Sequence, residues 1–126
     1  PCKNYIIWDK EIPEGLSFAD CEMAWTSFDK APKMFRYSAY LDKQSKFHPT
    51  QKPVGLLKQL IEIFTDEGDV VIDPCAGSGS TLRAAYELKR PSYGFEVDKN
   101  AYKKAKEFML NDEELDLIHS QLSLLA

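Results

Sequence analysis

Val70-Val71-Ile72 runs directly into Asp73-Pro74-Cys75-Ala76-Gly77-Ser78-Gly79-Ser80, and this junction limits what the chain can fold into more than any other stretch. Three β-branched residues are too few for a helix and are apolar on both faces, which predicts a central parallel strand. The glycines at 77 and 79 predict a tight turn, and Thr81 to Leu88 reads as a helix leaving it. Ser92 to Val97 follows as a second strand and Ala101 to Leu110 as a second helix, with Ala101, Ala105 and Phe108 on one side. The order is β-turn-α-β-α, an α/β arrangement. Upstream, Pro53 is predicted at a first helical position, with Val54, Leu56, Leu57, Leu60, Ile61 and Phe64 recurring at helical spacing until Asp66-Glu67-Gly68-Asp69. Asn4 to Trp8 and Met23 to Phe28 read as two earlier strands. Beyond Asn111 the pattern fits a helix or a short strand equally.

A chain of 126 residues has room for one core, so residues 1–126 are expected to be a single domain. Within it, 29–52 forms a basic, aromatic loop segment and 53–110 the helix and βαβα core. With 44% hydrophobic and 29% charged residues, disorder and low-complexity classes are excluded. Cys2, Cys21 and Cys75 are odd in number, with no paired spacing and no nearby histidine pair, so reduced thiols are expected rather than disulfides or a metal site. The absence of a long apolar run or a leader pattern gives no membrane span and a cytoplasmic expectation.

The formal net charge of −4 excludes a wholly basic coat for a polyanion, but its distribution is uneven. Between Asp29 and Lys58 seven cations face two anions, a balance of +5, whereas Asn111 to Ala126 holds four acids and no lysine or arginine. Phe35, Tyr37, Tyr40 and Phe47 are interleaved with Lys33, Arg36, Lys43 and Lys46, without a clean period. Two readings stand: a solvated loop anchored by its rings, or a nucleic-acid surface in which cations meet phosphate and rings stack on bases.

A glycine turn between a strand and a helix is where open α/β sheets bind nucleotides, because amide hydrogens and a helix N-terminus converge there. The dinucleotide fingerprint is incomplete, since Leu82 stands where its third glycine would be, and no Gly-Lys-Ser/Thr closes a phosphate loop. Asp73 at the strand end would repel a pyrophosphate by on the order of several kcal/mol, and favours a cation instead. S-adenosylmethionine has no phosphate and carries an ammonium on its methionine half. Glu96, nineteen residues beyond Gly77, lies close to the spacing at which an acid receives ribose hydroxyls. The rival reading makes Asp73 a helix cap and Glu96 a solvated strand end; spacing and charge sign together favour the ligand.

His48-Pro49-Thr50-Gln51-Lys52-Pro53, then Val71-Ile72-Asp73-Pro74-Cys75-Ala76-Gly77-Ser78-Gly79-Ser80-Thr81, then Tyr93-Gly94-Phe95-Glu96, resembles in order and spacing the DNA methyltransferases that modify adenine N6 or cytosine N4. The likeness is to their circularly permuted, beta-class-like arrangement and runs from His48 to about Met109. It implies a Rossmann-like methyltransferase fold with S-adenosyl-L-methionine as cofactor. Asp73, Cys75, Gly77, Ser78 and Gly79 would surround the methionine half and turn, Glu96 would take the ribose, and Phe95 or Val97 would cover the adenine. Thr50, Gln51 and Lys52 would lie over the cofactor from the other side, unless His48 and Thr50 merely cap the following helix.

The family usually carries an aromatic residue at the position of Cys75 and a threonine at that of Ser80. It also acts through an Asp-Pro-Pro-aromatic turn, which these residues lack, so no catalytic residue is assigned and that turn is expected before residue 1. A four-strand remnant would leave a flank of unpaired hydrogen-bonding groups, giving the expectation of a missing N-terminal half or a complementing chain. Double-stranded DNA is the implied substrate, Lys33, Arg36, Lys43 and Lys46 its expected contacts, a homodimer a further option, and a restriction-modification or prophage setting the implied origin. The alternatives are a non-catalytic S-adenosylmethionine-binding subunit and, conflicting with Asp73, an NAD-dependent oxidoreductase.

Overall fold

The computed structural model describes residues 3–41, 46–111, 113 and 115. The chain divides into two compact units, Pro1–Lys43 and Gln44–Ala126.

The first unit is a three-stranded sheet. Strand β1 (Tyr5–Asp9) is central, β2 (Cys21–Trp25) pairs with it antiparallel and β3 (Lys33–Arg36) parallel. The side-chain period of two puts Ile6 and Trp8 on one face, where Trp8 sits opposite the buried Phe35. Trp8 donates its indole N–H to the Tyr37 carbonyl at 2.8 Å, and Lys10 lies over the same ring while pairing with Glu22 at 2.8 Å. Two expectations are corrected here. The second strand begins two residues and ends three residues earlier than expected, because its register with β1 aligns Trp25 with Tyr5 and Cys21 with Asp9. Lys33–Arg36, inside the segment expected to be loop, is a strand: only Phe35 points inward, so four residues show no period, and pairing with β1 supplies the order. The described residues thus hold five strands rather than four, in two sheets of mixed and parallel pairing.

The second unit begins with α1 (Val54–Phe64) and continues through β4 (Val71–Asp73), α2 (Ser80–Glu87), β5 (Ser92–Gly94) and α3 (Lys99–Lys104) into a π-helical turn at Ala105–Met109. Strands β4 and β5 pair in parallel, joined through α2, as the sequence predicts. Pro53 is the N-cap of α1 rather than its first residue: its backbone is extended, and its carbonyl accepts the first helical bond from Leu57. Val54, Ile61, Ala84, Ala85 and Met109 form the core, with Leu57, Val71, Leu88 and Leu110 around it. The opposite face differs from expectation. Ile72 and Tyr93, paired across β4 and β5, are 63% and 62% exposed, so among the described residues β4 is apolar on both sides but covered on only one.

A charged cluster ties the helices together behind the sheet. Arg83, only 3% exposed, donates to Glu87 at 2.7 Å and to the Met109 carbonyl at 3.0 Å, and Lys58 of α1 reaches the second Glu87 oxygen at 3.0 Å. Burial pushes the Glu87 carboxyl up, but Arg83 and Lys58 together outweigh it and hold it below its ordinary range. Gly94 is equally constrained, since a Cβ there would come within 2.6 Å of Leu82 and 3.1 Å of Ala76. Replacing Gly94 by alanine is expected to lower stability by about 1–3 kcal/mol through overpacking, and Leu82→Ala in the same chain to restore part of it, both read from thermal unfolding. An undiminished melting temperature in the single variant would contradict this packing.

Candidate cofactor-binding site

The site grows from the C-terminal ends of β4 and β5. At the end of β4 the Asp73 carboxylate turns back to accept the Cys75 N–H at 3.0 Å, while its carbonyl accepts the Phe95 N–H at 3.0 Å. The Ala76 N–H reaches the Phe95 carbonyl at 2.9 Å, so the turn is laced to the strand beside it. Gly77 (φ +52) and Gly79 (φ +81) then take left-handed backbone, which glycine adopts without a Cβ penalty. Gly79 is the N-cap of α2 and lies against Leu110 and Ala105, where a Cβ would come within 3.3 Å of the Leu110 side chain.

Glu96, two residues beyond β5, fastens this turn from the neighbouring segment. One oxygen accepts the Gly77 N–H at 2.8 Å and the other the Asp98 N–H at 2.8 Å. These two backbone donors, Asp98 first, hold the carboxyl below its ordinary range, with a smaller contribution from His48. The same Asp98 caps α3, its side chain accepting from Ala101 at 2.7 Å and its carbonyl from Tyr102 at 2.9 Å. An open cleft of about 430 Å³ lies along this edge, lined by Pro74 and Cys75 of the turn, Gly94 at the end of β5, Phe95 to Val97 beyond it, and Tyr102 of α3.

The loop before α1 meets the turn at His48, whose ring lies over Gly77, 3.4 Å from where a Cβ would stand. Its Nδ1 accepts the Thr50 N–H at 3.3 Å, with the Thr50 hydroxyl 3.2 Å away. Neither residue caps α1, which has no side-chain cap.

The residues predicted from the sequence therefore fall into groups. Cys75, Phe95, Glu96 and Val97 line the cleft, and Gly77 is bonded to Glu96. Asp73 does not line it; one oxygen is engaged with its own turn. Ser78 and Ser80 are buried and share a 2.8 Å hydroxyl contact, so Ser80 closes the base of the turn. Gln51 is buried, its amide oxygen accepting the Phe47 N–H at 3.2 Å; Thr50 is exposed and Lys52 half-buried. Among the expected DNA contacts, Lys33 and Arg36 lie three residues apart on β3 and point to opposite faces, with Arg36 paired to Asp9 at 3.4 Å. Lys46 is exposed, and Lys43 lies outside the described residues. Phe35 is buried and Phe47 contacts Phe108 at 5.5 Å, so these two rings anchor the chain. Sequence reasoning missed Asp98 and Tyr102. An Asp before a helix is a legible cap, but the cap's engagement with Glu96 depends on strand and helix meeting.

The donor set fits a phosphate-free nucleoside: a carboxylate with free lone pairs for hydroxyls, apolar side chains beside it, and no lysine or arginine among the cleft residues. Fold and site together define an α/β nucleoside-binding unit with a glycine turn between parallel strands. The chain belongs to the DNA methylase family (N6_N4_Mtase), whose model matches residues 6–107. It is 33% identical over 106 residues to the Type II methyltransferase M2.DpnII of Streptococcus pneumoniae, covering 82% of this chain and 35% of that one. It is 48% identical over 56 residues to M.HindIII of Haemophilus influenzae, covering 44% of this chain and 18% of that one. The solved structure of the M1.HpyAVI–SAM complex matches with a TM-score of 0.64 at 29% identity, over 86% of this chain and 62% of that one. The fold is thus that of DNA methyltransferases, and the chain spans well under half the length of these two curated relatives.

Because Glu96 has a lowered folded-state pKa, its hold on the turn is complete above the ordinary glutamate range and is lost only as pH falls below it. The Gly77 amide proton shift, followed by NMR, is expected to stay constant down through that range and move only at lower pH. In Glu96→Gln, which offers a single acceptor oxygen to two donors, one of the Gly77 and Asp98 amides should lose its exchange protection.

Proposed function

We propose that this chain is the cofactor-binding part of an S-adenosylmethionine-dependent DNA methyltransferase that transfers a methyl group to an exocyclic amino nitrogen, adenine N6 or cytosine N4. The observation that carries the reading is the Glu96 carboxylate in a cleft with no lysine or arginine among its described lining residues, bonded to the glycine turn of a DNA methylase family member.

Glu96 accepts the ribose hydroxyls on the lone pairs its two amide partners leave free, and Phe95 and Val97 offer apolar surface to the adenine. Asp73, with one oxygen on the Cys75 N–H, turns the other towards the ammonium of the methionine half. Cys75 and Gly77 bound that half, Ser78 and Gly79 set the turn from beneath, Thr50 approaches through His48, whose ring lies over Gly77, and Lys52 is taken to follow on the same loop. Gln51 acts by holding the loop through Phe47. When bound, S-adenosylmethionine supplies an electrophilic methyl for in-line displacement by the target nitrogen, and the protein contributes positioning.

Residues 1–126 are proposed to be one domain of the permuted order, with the loop carrying His48 preceding the glycine turn it touches. The catalytic turn is proposed to come from polypeptide outside these residues, in the same chain or a complementing one. Support comes from Ile72 and Tyr93, an apolar sheet face open among the described residues where parallel sheets are normally covered, and from the greater length of the relatives. Double-stranded DNA is proposed as substrate, with Lys33, Arg36 and Lys46 meeting its phosphates from the region of +5 balance.

Calorimetry on the protein from its complete reading frame is expected to give binding of S-adenosylhomocysteine and none of NAD; heat with NAD alone would overturn the reading. Replacing Lys33, Arg36 and Lys46 by alanine is expected to flatten the salt dependence of duplex-DNA binding, the slope falling by about one for each phosphate left without its cation. An unchanged slope would remove these three from the DNA surface.

A further inference from the structure

We infer that Tyr102 is a cofactor-binding residue whose ring closes the adenine end of the cleft opposite Phe95 and Val97. The inference rests on the cofactor reading above and extends it to a helix that carries none of the sequence motifs.

Three exposed apolar side chains line the cleft together with Glu96: Phe95, Val97 (96% exposed) and Tyr102. An apolar end beside a carboxylate suits a purine joined to a hydroxylated sugar, the ring burying the apolar area and the sugar meeting the acid. Tyr102 is held there by a continuous set of hydrogen bonds that starts at the proposed ribose acceptor. Glu96 accepts the Asp98 N–H, the Asp98 side chain accepts the Ala101 N–H, and the Asp98 carbonyl accepts the Tyr102 N–H. The backbone of Tyr102 is therefore fixed relative to Glu96 one helical turn beyond the cap. Its ring brings two rotatable side-chain torsions, so little conformational freedom is lost when it meets a planar ligand.

Base–aromatic stacking is worth on the order of fivefold to 150-fold in affinity when the ring is removed. Since Tyr102 is half open to solvent, Tyr102→Ala is expected to weaken S-adenosylhomocysteine roughly tenfold, and adenosine by the same factor because both carry the base. Tyr102→Phe should bind like the parent, and Tyr102→Leu, which keeps bulk but not the ring face, should resemble alanine. Asp73→Asn should weaken S-adenosylhomocysteine and leave adenosine unchanged, separating the two ends of the ligand. The measurements are calorimetric, on the protein from its complete reading frame, with thermal unfolding recorded for each variant. If the parent binds S-adenosylhomocysteine and Tyr102→Ala binds it equally well, the role of Tyr102 is overturned while the cofactor reading stands. A loss on Tyr102→Ala fully restored by leucine would also overturn it, reducing Tyr102 to packing. If the parent fails to bind S-adenosylhomocysteine, the cofactor reading itself falls and this inference with it.

Discussion

A single carboxylate organises the functional edge of this chain. Glu96 accepts one backbone N–H from Gly77 and another from Asp98, and thereby joins the glycine turn, the end of β5 and the start of α3. An anion that accepts two oriented amides is favoured in its charged form, which accounts for the direction of its pKa. Such an arrangement leaves lone pairs on both oxygens, so the group that fastens the turn can also accept from a ligand.

Behind that edge, small residues let the parts approach. Gly94 admits Leu82 of α2 to the strand end, and Gly79 admits Leu110 beneath the turn. The π-helical turn that carries Ala105 and Met109 is held through Arg83, whose guanidinium bonds both the Met109 carbonyl and Glu87, while Lys58 brings in α1. A buried guanidinium is tolerated because it is paired and hydrogen-bonded; without Glu87 it would be an uncompensated charge. His48 completes the arrangement from the other side, its ring over Gly77 and its Nδ1 on the Thr50 N–H. The histidine loop and the glycine turn are therefore one structure, although nearly thirty residues separate them in the chain.

The basic segment is ordered differently from what its composition implied. The β-strand at Lys33–Arg36 distributes Lys33 and Arg36 to opposite faces, and Asp9 pairs with the latter. The rings of Phe35 and Phe47 are turned towards the interiors of their respective units, where they anchor the chain rather than wait for a base. Met23, Trp25 and Met34 remain exposed on the outer side of the first sheet, as Ile72 and Tyr93 do on the second. Exposed apolar sheet faces of this kind are characteristic of surfaces that another segment or chain covers.

Local pattern alone fixed the α/β order, the parallel β4–β5 pair and the position of the glycine turn, because β-branched runs, glycine pairs and helical spacing are decided within a few residues. Spacing and charge also singled out Glu96, and its bond to the Gly77 N–H is what the structure adds. Tertiary structure alone decided that β3 is a strand, that Asp73 bonds its own turn while Glu96 lines the cleft, and that Tyr102 stands beside it. The β1–β3 pairing and the Glu96–Gly77 bond join residues far apart in the chain, and although Asp73 bonds only two residues ahead, which of the two acids faces the cleft is set by the meeting of two strands that no local window of sequence contains.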